Sequence, residues 1–226
     1  MKIQVARLNI EIENRYPYLE SICRDYLADF DRADLHITVS ETEIADEIIR
    51  STLPYPPTSG YAESICVFRA IAQQLPRFDA FVFHAAVVAY EGRGYAFSAP
   101  SGTGKTTHAR LWMQVFGENG AEIINGDKPI LRFIDGTLYA FGTPWCGKER
   151  MQKNTAVPLC ALSFLERATE NTVRTMGNAE AVARLIDQII MPTERDTALV
   201  LLAVAVAALA LYVHFEFGTV PTRGMR

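Results

Sequence analysis

The sequence predicts an α/β protein: a small N-terminal α+β layer over residues 1–78, then a larger core over 79–226. Three observations lead there. Alternating apolar stretches and stretches of helical spacing succeed one another along the chain, with no repeat and no low-complexity linker. At residue 81 the texture changes to a nearly continuous apolar run, as in a strand buried on both faces. Shortly afterwards a glycine-rich loop stands between a short strand and a helix.

Taken in order, residues 1–14 read as strand. Ile3 and Val5 alternate with polar neighbours, and Leu8, Ile10 and Ile12 continue in a shifted phase. Leu19, Ile22, Cys23, Tyr26 and Leu27 recur at helical spacing, with Pro17 in the first turn, where a missing N–H costs least. Leu35, Ile37 and Val39 alternate again. Ser40-Glu-Thr-Glu43 is a capping box that opens a helix. The proline-rich segment 53–60 ends it, and Tyr61, Ile65, Phe68, Ala72 and Leu75 define the next helix.

In the core, residues 81–90 are expected as one buried strand and 95–98 as a short strand leading into the glycine loop. A helix over 106–115 and a strand over 121–124 follow. Asp135-Gly136 joins strands 130–134 and 137–141 as a hairpin. A strand over 159–165 and an amphipathic helix over 179–190 complete the regular part. Residues 197–213 carry no charge. They are expected as a buried helix running into a strand, the alternative being a tail anchor at the short edge of the ~20 residues a membrane span needs. An all-round apolar helix needs cover from the N-terminal layer or another subunit.

Composition narrows the function. Of 226 residues, 49% are hydrophobic and 21% charged, an ordinary globular balance. A net charge of −4 argues against a nucleic-acid partner or an anionic-membrane coat. Cysteines 23, 66, 146 and 160 show no CxxC spacing and read as neither a zinc site nor a disulfide framework. The first residues hold no apolar signal segment, so a reduced cytoplasmic protein is expected.

The chemistry concentrates between 81 and 150. Ala99-Pro-Ser-Gly-Thr-Gly-Lys-Thr106 fits the phosphate-loop (Walker A) pattern G-x-x-x-x-G-K-[ST] except at its first position. Gly102 and Gly104 permit backbone angles that turn successive N–H groups into one concavity, and the following helix adds its positive end. Ser101, Gly102, Thr103, Gly104, Lys105, Thr106 and Thr107 are therefore the candidate nucleotide-binding residues. Lys105 would span phosphates and Thr106 would put its hydroxyl on magnesium. Only five lysines occur against seventeen arginines, and Lys105, Lys128 and Lys148 all fall in this region. Asp127, after the strand at 121–124, is either a turn residue or a metal ligand or base. His84 is either a packed core histidine or a site residue. His108 is either a solvated helix residue or a neighbour of the phosphates. The segment 142–149 is either structural or a loop that brings Lys148 or Glu149 to a phosphate or substrate.

Together, Phe83-His-Ala85, Ser98 through His108, Asn125-Gly-Asp-Lys-Pro129 and Gly142-Thr-Pro-Trp-Cys-Gly-Lys-Glu149 resemble the HPr kinase / phosphoenolpyruvate-carboxykinase-like group of P-loop proteins. Within it the chain resembles small bacterial kinases, some of them beside peptide-modification genes (lasso-peptide clusters included), that phosphorylate a serine hydroxyl. The likeness is specific over 81–150. It is looser over 16–80, through Tyr16-Pro-Tyr-Leu19 and Tyr61-Ala-Glu-Ser64. It implies a P-loop kinase core, ATP and Mg²⁺ as cofactors, and catalytic roles for Asp127, His84 and Lys105, with Thr106 and Asp127 at the metal. Lys148 or Arg110 would neutralise charge on the transferred group. The acceptor is expected to be a peptide or small protein. The alternatives are a small-molecule kinase on the same core and a non-catalytic nucleotide-binding regulator. The related kinases often assemble into rings, so a homo-oligomer is possible. Two features depart from the group: Ala99 replaces the first glycine, and a single Asp127 stands where the group has an Asp-Asp pair, so base and metal roles are not separated. A full carboxykinase reaction is not expected, since that family's chains are far longer.

Overall fold

The structure, a computed structural model, describes residues 1–211 and 213–219. It is a mixed α/β fold with two sheets. In the smaller sheet β1 (Lys2–Val5) and β2 (Leu8–Glu13) form an antiparallel hairpin, and β3 (Leu35–Thr38) runs parallel to β2. The shift in apolar phase at residue 6 is this hairpin's turn. Ala6 and Arg7 both hold positive φ, at 53° and 58°, the two-residue turn that matches strand twist. Neither is glycine, so the turn needs support. Arg132, reaching across from the larger sheet, supplies it. Its Nη1 donates to the carbonyls of Ala6 (2.6 Å) and Arg7 (3.4 Å), and its Nε to Phe78 (3.1 Å).

Helices α1 (Pro17–Ile22), α2 (Glu41–Arg50) and α3 (Ser59–Gln74) accompany this sheet. The capping box at α2 forms as the sequence predicts: Ser40 Oγ accepts from the Glu43 amide and Glu43 Oε2 from the Ser40 amide. Those bonds hold the Glu43 carboxyl below its ordinary range. α1 is shorter than the apolar spacing predicts. It stops at Ile22, and a 3₁₀ turn (Arg24–Tyr26) carries Tyr26 into the core, where its hydroxyl donates to Gln152.

The larger sheet has β4 (Ala80–Val82), β5 (Ala85–Tyr90), β6 (Arg93–Ser98), β7 (Glu122–Asn125), β8 (Ile130–Ile134), β9 (Thr137–Phe141), β10 (Ala156–Arg167), β11 (Thr172–Thr175) and β12 (Val213–Thr219). Its path is β4-β8-β9-β10-β6-β5-β7, with β12 on β10 and β11 on β12. β10 joins the halves. Its first residues pair antiparallel with β9, and later ones pair parallel with β6 and β12, so the sheet curls along it. The Asp135-Gly136 hairpin forms with both residues at positive φ.

Three further expectations change. The single strand over 81–90 is two strands, broken at Phe83-His84. β4 pairs with β8, whereas β5 pairs with β6 and β7. The helix over 179–190 is α5 (Asn178–Ile186), because residues 188 and 189 leave it to bond the break at 83–84. The apolar tail forms α6 (Arg195–Leu211) and then β12, but it is covered on one side only: Leu201, Val204, Ala205 and Ala208 are buried, while Leu199, Val200 and Val206 are exposed. Tyr212 lies outside the described residues. No helix among the described residues is long and apolar enough to cross a membrane.

The remaining helix, α4 (Lys105–Phe116), packs on β5 and β6. The N-terminal layer and the larger sheet share one apolar cluster, in which Ile130, Phe141 and Trp145 meet Ala62, Phe68 and Leu75. Removing the clamp on the 6–7 turn tests how much that junction carries. Arg132→Ala should lower the unfolding free energy by about 2 kcal/mol, the scale for losing half-buried hydrogen bonds from a charged group. It should appear as a lower urea midpoint at unchanged slope. Arg132→Lys should recover less than half, since an ammonium lacks the guanidinium fork.

Candidate functional site

The glycine loop runs from the end of β6 to the start of α4. Gly102 and Gly104 hold φ of 79° and 122°, which an L side chain rarely adopts. Ala99 is buried in a cluster with Ala86, Phe97 and Ala109, so its methyl is absorbed by the core. Lys105 is buried at the first position of α4, and its Nζ donates to the Ala99 carbonyl at 2.8 Å. Burial pushes its ammonium down to about 8, only partly offset by the negative charge of Asp127. Arg167, at the end of β10, donates to the Gly102 carbonyl and holds the loop from outside.

Asp127 sits on a turn after β7 that Asn125 builds. The buried Asn125 Oδ1 accepts from the amides of Asp127 (2.9 Å) and Lys128 (2.8 Å). Its Nδ2 donates to the carbonyl and hydroxyl of Thr143, whose hydroxyl donates to the Lys128 carbonyl. The Asp127 carboxylate lies between two nitrogen groups: Oδ1 is 3.2 Å from His84 Nε2 and Oδ2 is 3.0 Å from Lys128 Nζ. Burial alone would raise its pKa. The bond from His84 and the charge and bond of Lys128 outweigh that and bring it to about 2.

His84 stands where the strand breaks, and its imidazole reaches Asp127. Its amide donates to Gln188 O, its carbonyl accepts from Ser98 Oγ, and its Nδ1 lies 2.9 Å from Gln188 Oε1. Gln188 is the residue that sequence reasoning missed. It lies just beyond α5, more than a hundred positions from His84, with no motif around it.

One cleft of about 950 Å³ gathers Ser101, Thr106, Gly126, Asp127, Lys128 and the 144–150 segment. Gly102, Thr103 and Gly104 shape its loop. Thr107 is exposed and does not line it. His108 packs edge-on against Phe97, with ring centres 4.5 Å apart, and burial lowers its pKa, so it is not a solvated helix residue, and it does not line the cleft. The 142–149 segment borders the cleft. Thr143 and Trp145 anchor it, the indole donating to Ser64 O, while Gly147, Lys148 and Glu149 line the cleft. Glu149 pairs with Arg110 across the mouth, so Arg110 is engaged there. No group of three or more His, Cys, Asp or Glu among the described residues can hold a metal ion by itself. A hydroxyl and one carboxylate, Thr106 and Asp127, instead suit a hard cation that brings most of its own oxygen ligands.

The family model for SynChlorMet cassette protein ScmC matches residues 63–192, over half of the chain. No curated protein matches it. Among solved structures the chain is similar to the Hpr(Ser) kinase/phosphatase from Coxiella burnetii, at 10% identity and a TM-score of 0.36, over 64% of this chain and 82% of that one.

The Asp127 environment has a measurable acid limb. Its folded pKa of about 2 lies below the ordinary 3.8, so the stabilisation is present above pH 4 and is lost as pH falls toward 2. With a carboxylate about a third exposed, the contribution is about 1–2 kcal/mol. Urea unfolding of Asp127→Asn should show a shallower loss of stability than wild type between pH 4 and 2.

Proposed function

The chain belongs to the ScmC family of SynChlorMet cassette proteins, and we propose that it is a magnesium- and ATP-dependent kinase that phosphorylates a serine-type hydroxyl on a peptide or small protein. The P-loop kinase core over 79–226, its N-terminal layer and the roles below belong to the same proposal. The observation that carries it is the convergence, in one cleft, of Ser101 and Thr106 of the glycine loop with a carboxylate held by His84 and Lys128, while Lys105 lies buried beside them on the Ala99 carbonyl.

Magnesium-bound ATP would supply the phosphoryl group and the neutralising charge. The chain's own residues do the rest. Lys105 exchanges its bond to the Ala99 carbonyl for one to phosphate oxygens. Loop amides and the start of α4 bind the same anion. Thr106 and Asp127 are the groups fit to hold the metal. Asp127 accepts a hydrogen bond from the acceptor hydroxyl and orients it. A carboxylate of pKa about 2 is a weak base, so it positions the hydroxyl first and takes the proton late. Phosphoryl transfer permits this, because placement and charge stabilisation provide most of its catalysis. His84, fixed by Gln188, and Lys128 keep the carboxylate from turning away.

Two features favour a peptide acceptor over a metabolite. The cleft is large, at about 950 Å³, and it is open along Ser21, Asp25, Tyr61 and residues 147–150, all exposed. The burial of Ala99 in the core removes one argument for a non-catalytic regulator.

Calorimetric titration of Mg·ATP should show binding to wild type and none to Lys105→Ala. Phosphate binding favours the charged ammonium, whose proton leaves the free protein above pH about 8. Titrations at pH 9 in buffers of different ionisation enthalpy should therefore report proton uptake, and affinity should fall as pH rises past 8. Wild type with Mg·ATP and a serine peptide should add a phosphate mass, and Asp127→Asn should slow this at least a hundredfold. Equal, unmeasurable transfer by both would overturn the kinase reading.

A further inference from the structure

The cleft has a second wall that the phosphate chemistry does not use. Tyr18 and Ile22 of α1 and Tyr61, Ile65 and Phe68 of α3 line it together with Asp127. Tyr18 and Tyr61 meet edge-on with ring centres 5.9 Å apart, and Tyr61 is 38% exposed. Phe68 packs on Trp145 behind them, ring centres 4.9 Å apart. Cys146 and Gly147 connect this wall to the reacting end, and a Cβ on Gly147 would lie 3.1 Å from that of Asp127. The exposed rim carries Lys148, Arg150 and Asp25, a net positive charge beside the neutral Arg110–Glu149 pair.

Resting on the kinase reading, we propose that this wall is the acceptor subsite, and that it takes a peptide with an aromatic or branched aliphatic side chain near the phosphorylated serine and an acidic residue toward Lys148 and Arg150. The hydroxyl that is phosphorylated must come within hydrogen-bond reach of Asp127. The rest of the acceptor then lies on whatever surface continues from Asp127, and that surface leads through Cys146 and Gly147 to the tyrosines. About 950 Å³ is at the upper end of the ~300–1,000 Å³ range of ligand sites, so the cleft has room beyond the reacting groups for a large side chain. Apolar rings at its far end reward filling that room, since aromatic contacts of this kind dominate recognition. The positive rim selects the sign of the neighbouring charge.

The test uses serine-centred nonapeptide pools in which each flanking position is fixed in turn as Phe, Leu, Ala, Glu or Lys. With wild type and Mg·ATP, one flanking position should favour Phe or Leu over Ala by about tenfold in kcat/KM, and another should favour Glu over Lys. Tyr61→Ala should abolish the apolar preference by raising the peptide KM while leaving the KM for Mg·ATP unchanged. Tyr61→Phe should keep the preference. Binding read without turnover should agree: a fluorescein-labelled form of the preferred Phe peptide should bind Asp127→Asn about tenfold more tightly than Asp127→Asn/Tyr61→Ala by polarisation. A flat profile, or a preference that survives Tyr61→Ala, overturns the assignment and leaves the kinase reading standing. A raised KM for Mg·ATP in Tyr61→Ala also overturns it, by giving the wall to the nucleotide base. Absence of both Mg·ATP binding and phosphate transfer in wild type removes the kinase reading, and this assignment with it.

Discussion

Three consecutive amides, those of Phe83, His84 and Ala85, donate to two separate segments: the carbonyls of Pro129 and Asp127 in the 125–129 turn, and that of Gln188 beyond α5. Regular pairing along one partner strand is given up to make these bonds. In exchange, the β4–β5 junction, the 125–129 turn and the chain beyond α5 meet at one point. Everything chemical in the cleft depends on that meeting. It puts the imidazole of His84 on Asp127, brings the Gln188 side chain behind the imidazole, and lets Ser98, at the root of the glycine loop, bond the His84 carbonyl. A continuous strand over 81–90 would satisfy the same amides and bury the same side chains, but it would leave Asp127 without its imidazole partner.

The turn that carries Asp127 is rigid for a related reason. Asn125 is fully buried, and its side chain receives two amides and donates twice to Thr143. A buried amide with all these bonds made is inexpensive. The same amide with one bond lost carries a desolvation penalty of about 1–3 kcal/mol. Asn125 therefore fixes not only its own turn but also the start of the 142–149 segment. The carboxylate, the Lys128 ammonium and the cleft-lining Gly147 are set by one side chain.

What was legible in the sequence was local. The capping box at Ser40, the Asp135-Gly136 hairpin, the glycine loop and Asp127 each announce themselves within a few residues, because turn and cap chemistry acts over that range. Apolar periodicity reports burial, and residues 81–90 are buried almost throughout. It does not report which partner a strand takes, so the break at Phe83-His84 was invisible. The end of α5 was missed for the same reason: its helical pattern continues to Ile190, but Gln188 and Ile189 are claimed by the break. For α6, composition gave the apolar helix, while the half that stays exposed depends on which neighbours reach it. His84 was ambiguous from spacing, and Gln188 carried no signal, because their meeting is a product of topology.

The N-terminal layer illustrates how far such a constraint can act. Both carboxyl oxygens of the buried Glu63 accept backbone amides, from Arg15 at 2.6 Å and Tyr16 at 3.1 Å, and so tie the start of α1 to α3. Gly60, one turn earlier, has no Cβ; one placed there would stand 2.9 Å from the Cβ of Tyr18 and 3.2 Å from that of Tyr16. The two helices therefore approach closely at this point, and Tyr18 lies edge-on to Tyr61 because of it. Trp145 then spans the remaining distance, donating to Ser64 O from the segment that Asn125 organises. Two polar side chains, Glu63 and Asn125, thus hold different walls of one cleft, Glu63 through backbone amides alone and Asn125 through three backbone groups and the Thr143 hydroxyl. Backbone partners do not move with rotamers, so the tyrosine wall and the carboxylate are each fixed to the main chain rather than to mobile side chains.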